Sequence, residues 1–282
     1  MKNTNRIYAC LIAATVSATA CVADDSEPVD TEDETLSTTS QALTSYITGT
    51  WTVGQGPQAL ANGTDYFCFL SKVHGAFYGG GEWVEVYRAA DNHWYVTGGS
   101  MQRALKATAT CVNYTAFSNV AKGYIAQSIP LVSNSTYNVA PISDMTWLSA
   151  MQGEFRGGGE YLSVYATPGT WTARANAMSG SGVRGRALAA RLQTANFATR
   201  NANYFGPISQ MAPKDGRTFN NADVDLGSSS DRVCYLTHLG GNFTGYGEWA
   251  EVKVENGRWW LRTEADRFNS GVNATAQCVS LF

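Results

Sequence analysis

Apolar and polar residues alternate along two neighbouring segments of the chain, and this pattern predicts β-strands rather than helices. Residues 68–77 alternate around Val and Leu, residues 82–88 alternate again, and the glycines at 79–81 lie between them. Two alternating segments joined by a glycine turn are typical of a β-hairpin. Residues 93–97 and 105–112 continue as a third and a fourth strand. The pattern therefore predicts a four-stranded antiparallel meander of about 45 residues.

The same pattern occurs three times. The segment 70–86 returns at 148–164 and at 236–252, with Leu, Gly, Phe, Gly, Gly, Glu and Val at matching positions. Internal repetition predicts copies of one supersecondary unit, so we expect an all-β protein of three homologous meanders. They would form either a pseudo-threefold arrangement, trefoil- or prism-like by analogy, or tandem modules. The repeats are placed at 44–112, 113–192 and 193–282.

A shared core is favoured over tandem modules, because a meander of this size buries too little apolar surface to be stable alone. Each copy supplies one large apolar residue that could meet the others at a common axis: Trp94, Trp171 and Trp259.

The cysteines follow the repeat. Cys68 and Cys111 bracket the first meander, and Cys234 and Cys278 bracket the third at nearly the same separation. The second copy has Thr146 at the first of these positions and no cysteine near the second. Joint absence of both partners indicates two disulfide bonds rather than metal ligation. Each bridge should contribute about 4 kcal/mol to stability.

The first 20 residues have the features of a secretory signal peptide. Lys2 and Arg6 precede an apolar run at 7–16 that is too short for a permanent membrane span, and small residues lead up to Cys21. Small residues before a cysteine resemble the bacterial lipoprotein signal, which implies a lipid anchor at Cys21. Ala18 stands where that family prefers Leu, and Ala18-x-Ala20 would also suit ordinary signal peptidase. We expect an exported protein, either anchored in the outer membrane or extracellular.

Residues 21–43 are acidic, rich in Ser and Thr, and have little to bury, so they are predicted to form a disordered tether. Together with its final segment Ser37–Leu43, this leader and tether resemble those of exported myxobacterial proteins. The tether holds seven of the acidic residues, and without it and the leader the remaining body is close to neutral. Such a body has no basic surface for nucleic acid.

The most repeated polar residues are glutamates that follow a Gly-x-Gly and precede an aromatic residue. The pairs are Glu82 with Trp83, Glu160 with Tyr161, and Glu248 with Trp249. A carboxylate beside an aromatic ring is a common sugar-binding arrangement, because the ring stacks on the sugar while the acid accepts hydroxyl hydrogen bonds. Alternatively, the glutamate accepts backbone N–H bonds within the glycine turn and the ring covers glycine backbone. Alternation places Glu85 and Glu251 on the same strand face as the aromatics.

The sequence offers little for catalysis. His74, His93 and His238 fall at non-equivalent positions of the repeat, and no metal-ligand spacing or cofactor motif is present. We therefore expect a non-catalytic, lectin-like protein that binds carbohydrate or another cell-surface component. Two alternatives remain: a structural or adhesive module with buried aromatics, and a polysaccharide hydrolase that pairs Glu82 with Glu85 or Glu248 with Glu251. Trp83, Tyr161 and Trp249 should be accessible in a binder and occluded in a scaffold.

Overall fold

The computed structural model of the chain describes most of the body. It covers these residues: 37–41, 44–102, 104–114, 120–142, 144–178, 182–192, 208–211, 222–230, 232–265 and 271–280. The predicted signal peptide and Cys21 lie outside them. The described part of the chain contains no helix with the length and apolarity needed to cross a membrane.

The described body is built from β-strands, which confirms the all-β prediction. The first repeat holds β2 (Thr44–Thr52), β3 (Gln58–Asn62), β4 (Tyr66–His74), β5 (Trp83–Arg88), β6 (His93–Gly99) and β7 (Lys106–Asn113). The second holds β8 (Val120–Leu131), β9 (Ser135–Pro141), β10 (Met145–Gln152), β11 (Arg156–Thr167), β12 (Thr170–Asn176) and β13 (Arg184–Leu192). The third holds β14 (Ile208–Met211), β15 (Ala222–Ser228), β16 (Arg232–Asn242), β17 (Trp249–Glu255), β18 (Arg258–Glu264) and β19 (Val272–Ser280). Each repeat thus has six described strands where the sequence predicted four, because the connecting stretches carry two more.

One further strand precedes the repeats. β1 (Ser37–Gln41) pairs antiparallel with β2, from Ser37 opposite Thr48 to Gln41 opposite Thr44. These five residues belong to the segment 21–43 that was expected to be a disordered tether. Pairing with the edge of β2 gives them backbone partners that composition alone does not reveal.

All of the described strands except β9 form three antiparallel sheets. Their orders are β1-β2-β7-β4-β17-β18-β15, β3-β6-β5-β10-β13-β8 and β12-β11-β16-β19-β14. β4 and β5 do not pair with each other, so the predicted hairpin and the self-contained meander are wrong. Instead β4 joins β17 of the third repeat, β5 joins β10 of the second, and β11 joins β16. Each sheet therefore combines strands from two repeats.

The three contacts between repeats have the same register. We call β5 with β10 the first junction, β11 with β16 the second, and β17 with β4 the third. Residues 83–85 lie opposite 152–150, residues 161–163 opposite 240–238, and residues 249–251 opposite 74–72. Equal registers in all three junctions mean that the repeats exchange strands in the same way.

A β-bulge precedes each junction. The pairing register slips at Ser71, Ser149 and Thr237, which are equivalent positions of the repeat. Their hydroxyls donate to carbonyl oxygens across the sheet, over 3.1 Å, 3.3 Å and 3.3 Å respectively. A bulge bends its strand and increases its twist. It thus helps to direct the following segment toward the neighbouring sheet.

A glycine completes the change of direction. Gly75, Gly153 and Gly241 have φ angles of 101°, 110° and 97°, which residues with a Cβ rarely adopt. A Cβ at Gly153 would also lie 2.6 Å from the carbonyl oxygen of Gly182. The position is therefore restricted to glycine by both conformation and space.

Three phenylalanines meet where the repeats converge. The ring centroids of Phe77, Phe155 and Phe243 are 5.9 Å, 6.0 Å and 6.2 Å apart, with edge-to-face geometry. Their backbones form a closed ring of hydrogen bonds, in which Phe77 N donates to Phe243 O, Phe243 N to Phe155 O, and Phe155 N to Phe77 O. All three side chains are fully buried. This cluster ties the three repeats to one another.

The predicted meeting of Trp94, Trp171 and Trp259 at an axis is not what the packing shows. Each indole is buried, and its Nε1 donates to a backbone carbonyl near the start of a neighbouring strand: Tyr66 O, Asp144 O and Arg232 O respectively. The smaller phenylalanines lie where the repeats converge. They are placed there because each lies just before its glycine-rich turn, at residues 79–81 in the first repeat.

The predicted disulfides are confirmed. Cys68 bonds Cys111 and Cys234 bonds Cys278, each across adjacent antiparallel strands with a Cα–Cα distance of 4.0 Å. The equivalent pair in the second repeat is Thr146 opposite Ala189. Packing replaces the bridge there, since Trp147 contacts Phe67 and Tyr235 at centroid distances of 5.5 Å and 6.3 Å. The disulfides are compatible with an exported protein.

Candidate functional site

The three repeated glutamates lie inside the glycine turns. Glu82, Glu160 and Glu248 are all buried. Glu82 Oε2 accepts a hydrogen bond from the backbone N–H of Gly79 at 2.7 Å. At Gly245 an added Cβ would lie 2.6 Å from Glu248 Oε1, so this carboxylate also packs directly on its turn. These positions favour the interpretation in which the glutamates stabilise the turns.

Glu160 also packs on its own glycine turn. Its Oε2 is buried and has no hydrogen-bond partner among the described residues. An added Cβ at Gly157 would lie 3.2 Å from this atom, a close contact that the glycine avoids. The carboxylate faces its own turn rather than the open surface of the sheet.

The aromatic residues that follow the glutamates line the junctions. Trp83 lies opposite Gln152, Tyr161 opposite Gly240, and Trp249 opposite His74, and all three aromatics are partly buried. The opposite strand face is the core, as predicted: its six residues, Val84, Val86, Leu162, Val164, Ala250 and Val252, are buried. Each outward aromatic residue of one repeat therefore lies next to residues of another repeat.

At the third junction the aromatic ring is covered. The ammonium group of Lys72 lies 4.9 Å from the ring centroid of Trp249, and the indole Nε1 donates to Glu264 Oε2. Lys72 also pairs with Glu251, with 3.7 Å between Nζ and Oε1. Burial lowers the pKa of the neighbouring His74 to about 4, and two nearby lysines contribute to the lowering. This junction is a closed network of internal contacts.

At the second junction the ring is also occupied. His238 stacks on Tyr161 at 5.3 Å between centroids, and the guanidinium of Arg174 lies 5.6 Å from the same ring. His238 Nε2 is 2.5 Å from Asn273 Oδ1. Burial lowers the pKa of His238, so this imidazole is held neutral at physiological pH. Ser163 stands where the other two copies have a glutamate.

At the first junction the ring has an open environment. The indole of Trp83 lies over Gly99, where an added Cβ would be 2.4 Å from Nε1. Among the described residues, no cation and no second aromatic ring stacks on Trp83. At the position of Gly99 the other copies have Asn176 and Glu264. The indole thus packs on bare backbone at Gly99.

Beside Trp83 the surface forms a shallow recess of about 90 Å³. Its polar lining includes Glu85, Gln152 and Arg186, and Gly185 forms part of its floor. Arg186 donates a hydrogen bond to Glu85 and forms an ion pair with it. Burial raises the pKa of Glu85, and the Arg186 charge opposes that shift. The recess offers hydrogen-bond donors and an acceptor next to an aromatic surface.

Comparison of the chain with protein-family models, with curated proteins and with solved structures finds no match. In the part of the chain that the structure describes, no group of three or more His, Cys, Asp or Glu side chains is arranged to hold a metal ion.

Two of the eight predicted binding residues, Trp83 and Glu85, meet in the recess. Glu82, Glu160 and Glu248 are buried in turns, and Tyr161, Trp249 and Glu251 are engaged in contacts within the other junctions. Sequence reasoning missed Gln152 and Arg186, because both come from the next repeat. A usable signal was present at Gly99, since a glycine in a strand marks a place where another group approaches the backbone.

Proposed function

We propose that the protein binds carbohydrate without catalysis, and that the first junction is the binding site. One observation carries the proposal: Trp83 lies over the backbone at Gly99 beside the polar recess, and no ring or cation of the described residues covers it. A sugar stacks its C–H face on an aromatic ring while neighbouring polar groups bond its hydroxyls. Gln152, Glu85 and Arg186 provide those groups.

The size of the recess favours a ligand that rests on the surface. Pockets that enclose a whole small molecule occupy about 300–1,000 Å³, whereas this recess has about 90 Å³. A sugar within a polymer chain needs no enclosure, because adjacent residues of the polymer continue along the sheet. The proposed ligand is therefore a polysaccharide or a surface glycan rather than a free sugar.

A glycan array tests this function. The full chain is compared with Trp83→Ala and with the matched control Trp249→Ala, which removes the equivalent indole of the third junction. We expect Trp83→Ala to abolish the signal, because stacking at that ring is lost, and Trp249→Ala to retain it when circular dichroism shows a folded protein. Absence of signal from every glycan with the unchanged protein would refute the proposal.

A structural or adhesive role is the second candidate. The contacts that cover Tyr161 and Trp249 favour it, because these rings serve packing between repeats. Under this alternative Trp83 would also act in packing, and Trp83→Ala would lower the melting temperature without changing any glycan signal. The same variants therefore distinguish the two functions.

We further propose that the three repeats form a pseudo-threefold body. The equal registers of the junctions and the closed ring of Phe77, Phe155 and Phe243 support this arrangement. Export through the N-terminal leader, with a lipid anchor at Cys21, would place the body at the cell envelope. Mass spectrometry of the mature N-terminus distinguishes a lipidated Cys21 from simple cleavage.

A further inference from the structure

We propose that the carbohydrate recognised at the first junction is acidic, with the carboxylate of a uronic acid held by Arg184 while a sugar ring stacks on Trp83. This inference rests on the proposed binding function and names its ligand class.

A row of side chains that crosses the second sheet at Trp83 places Arg184 at a useful distance from the indole. Gly99 lies opposite Trp83, Trp83 opposite Gln152, and Gln152 opposite Arg184, on four adjacent strands. Neighbouring strands are about 4.8 Å apart, so Trp83 and Arg184 are separated by roughly 10 Å along the sheet. Residues directly opposite one another share a sheet face, so Trp83, Gln152 and Arg184 project from the same side. A sugar on the indole can therefore direct a ring substituent toward Arg184.

The charge of Arg184 is available to a ligand. The residue is exposed and forms no ion pair with any described residue. Arg186, one row along, is already paired with Glu85. The two rows together therefore carry one uncompensated positive charge, located at Arg184. A guanidinium binds a carboxylate through two parallel hydrogen bonds, and this geometry is specific as well as strong.

The other junctions lack this combination. At the position of Arg184 the third junction has Lys106 and the second has Asn273. Lys106 is exposed, but the nearby Trp249 ring is covered by Lys72. Among the described residues, the row at the first junction thus differs from the other two. It combines an aromatic ring that no cation or second ring covers with an arginine that forms no ion pair. Because the chain as a whole has a net charge of -3, a polyanion would be held by this local arrangement and not by general attraction.

Calorimetric titration of the full chain tests the ligand class. The probes are polygalacturonate, the same polymer after reduction of its carboxyl groups, and a sulfated galactan. We expect polygalacturonate to bind at least about tenfold more tightly than the reduced polymer, because a charge-assisted pair is lost on reduction. The sulfated polymer should bind less tightly than polygalacturonate, since the fork of Arg184 matches a planar carboxylate.

Two variants test whether Arg184 causes the preference for the acidic polymer. Arg184→Gln should weaken polygalacturonate binding by about tenfold and leave the reduced polymer unchanged. Lys106→Gln, at the equivalent position of the third junction, is the matched control and should leave both unchanged. Equal affinity for the acidic and reduced polymers, or equal losses in the two variants, would overturn the acidic-ligand inference. In that case, loss of polymer binding in Trp83→Ala would still support carbohydrate binding at the first junction. If the protein bound no polymer and no array glycan, both the binding function and the acidic ligand class would be refuted.

Discussion

Replacing Thr146 and Ala189 with cysteine should add a third disulfide bond, in the one repeat that has none of its own. The two residues lie directly opposite each other on β10 and β13, as Cys68 and Cys111 do on β4 and β7. Both side chains are fully buried, like those of the natural cysteines. The hydroxyl of Thr146 has no hydrogen-bond partner among the described residues, so its removal sacrifices no bond.

The stabilisation follows from the size of the closed loop. The natural bridges join residues 43 and 44 positions apart, and Thr146 and Ala189 have the same spacing as the first. A loop of this length reduces the entropy of the unfolded chain by an amount equivalent to about 4 kcal/mol at 25 °C. For a body of this size, the melting temperature should rise by about 8 °C or more.

Differential scanning calorimetry measures the shift, and thiol titration shows whether the bridge forms. Thr146→Cys with Ala190→Cys is the matched control, because Ala190 pairs with Met145 and points to the opposite face of β13. The control pair should remain as two free thiols. If the Thr146/Ala189 pair also kept two free thiols under oxidising conditions, the second repeat would not be structurally equivalent to the other two.

Three further perturbations probe the junctions and the protonation of the body. Phe155→Ala should cost about 3–5 kcal/mol of unfolding free energy in guanidinium, since a fully buried ring is lost from the phenylalanine cluster; a cost below about 1 kcal/mol would contradict its central packing. Gly153→Ala should cost more than Gly169→Ala: both glycines have positive φ, which alone costs about 1–2 kcal/mol, but only Gly153 has a backbone carbonyl 2.6 Å from the added Cβ. Because the pKa of His74 is lowered to about 4 in the folded state, the unfolded chain binds a proton below about pH 6.5 that the folded chain does not. Unfolding free energy should therefore fall as the pH is lowered from 6.5 to 4, by up to about 1.4 kcal/mol per pH unit, and His74→Gln should flatten this dependence.

Strand positions and buried faces could be predicted from the sequence, whereas strand partners could not. Alternation is local, so β4 to β7 and the inward face of β5 were identifiable from residue types. The partner of β5 depends on the direction of the chain after β4, to which the bulge at Ser71 and the turn at Gly75 contribute. An alternating strand satisfies its backbone equally well beside β4 or beside β10, so the pattern alone favoured the simpler hairpin.

The disulfides were predictable because two bonded cysteines are either both present or both absent in a copy of the repeat. The second repeat lacks both cysteines together, and Thr146 and Ala189 occupy their places. By contrast, the six-strand composition of each repeat was missed. Strands such as β3 and β9 are short or weakly apolar, and they depend on neighbours for their stability.

The candidate site was only half predictable for the same reason as the strand partners. Trp83 and Glu85 belong to the repeated segment 70–86 and could be found by comparing the copies. Gln152 and Arg184 enter the site from another repeat and face it because of the register of the junction. Comparison of the copies also overstated their similarity, since covering contacts at Tyr161 and Trp249 are made by residues that do not recur.

The most direct test of the account follows the indole of Trp83 during ligand binding. The protein contains eight tryptophans, and ¹⁵N labelling gives each indole N–H its own NMR signal, with Trp83→Phe and Trp249→Phe assigning the two of interest. On titration with the glycan bound most tightly on the array, the Trp83 signal should shift and saturate while that of Trp249 stays in place. A ligand that binds the protein without moving the Trp83 signal would contradict the assignment of the first junction as the binding site.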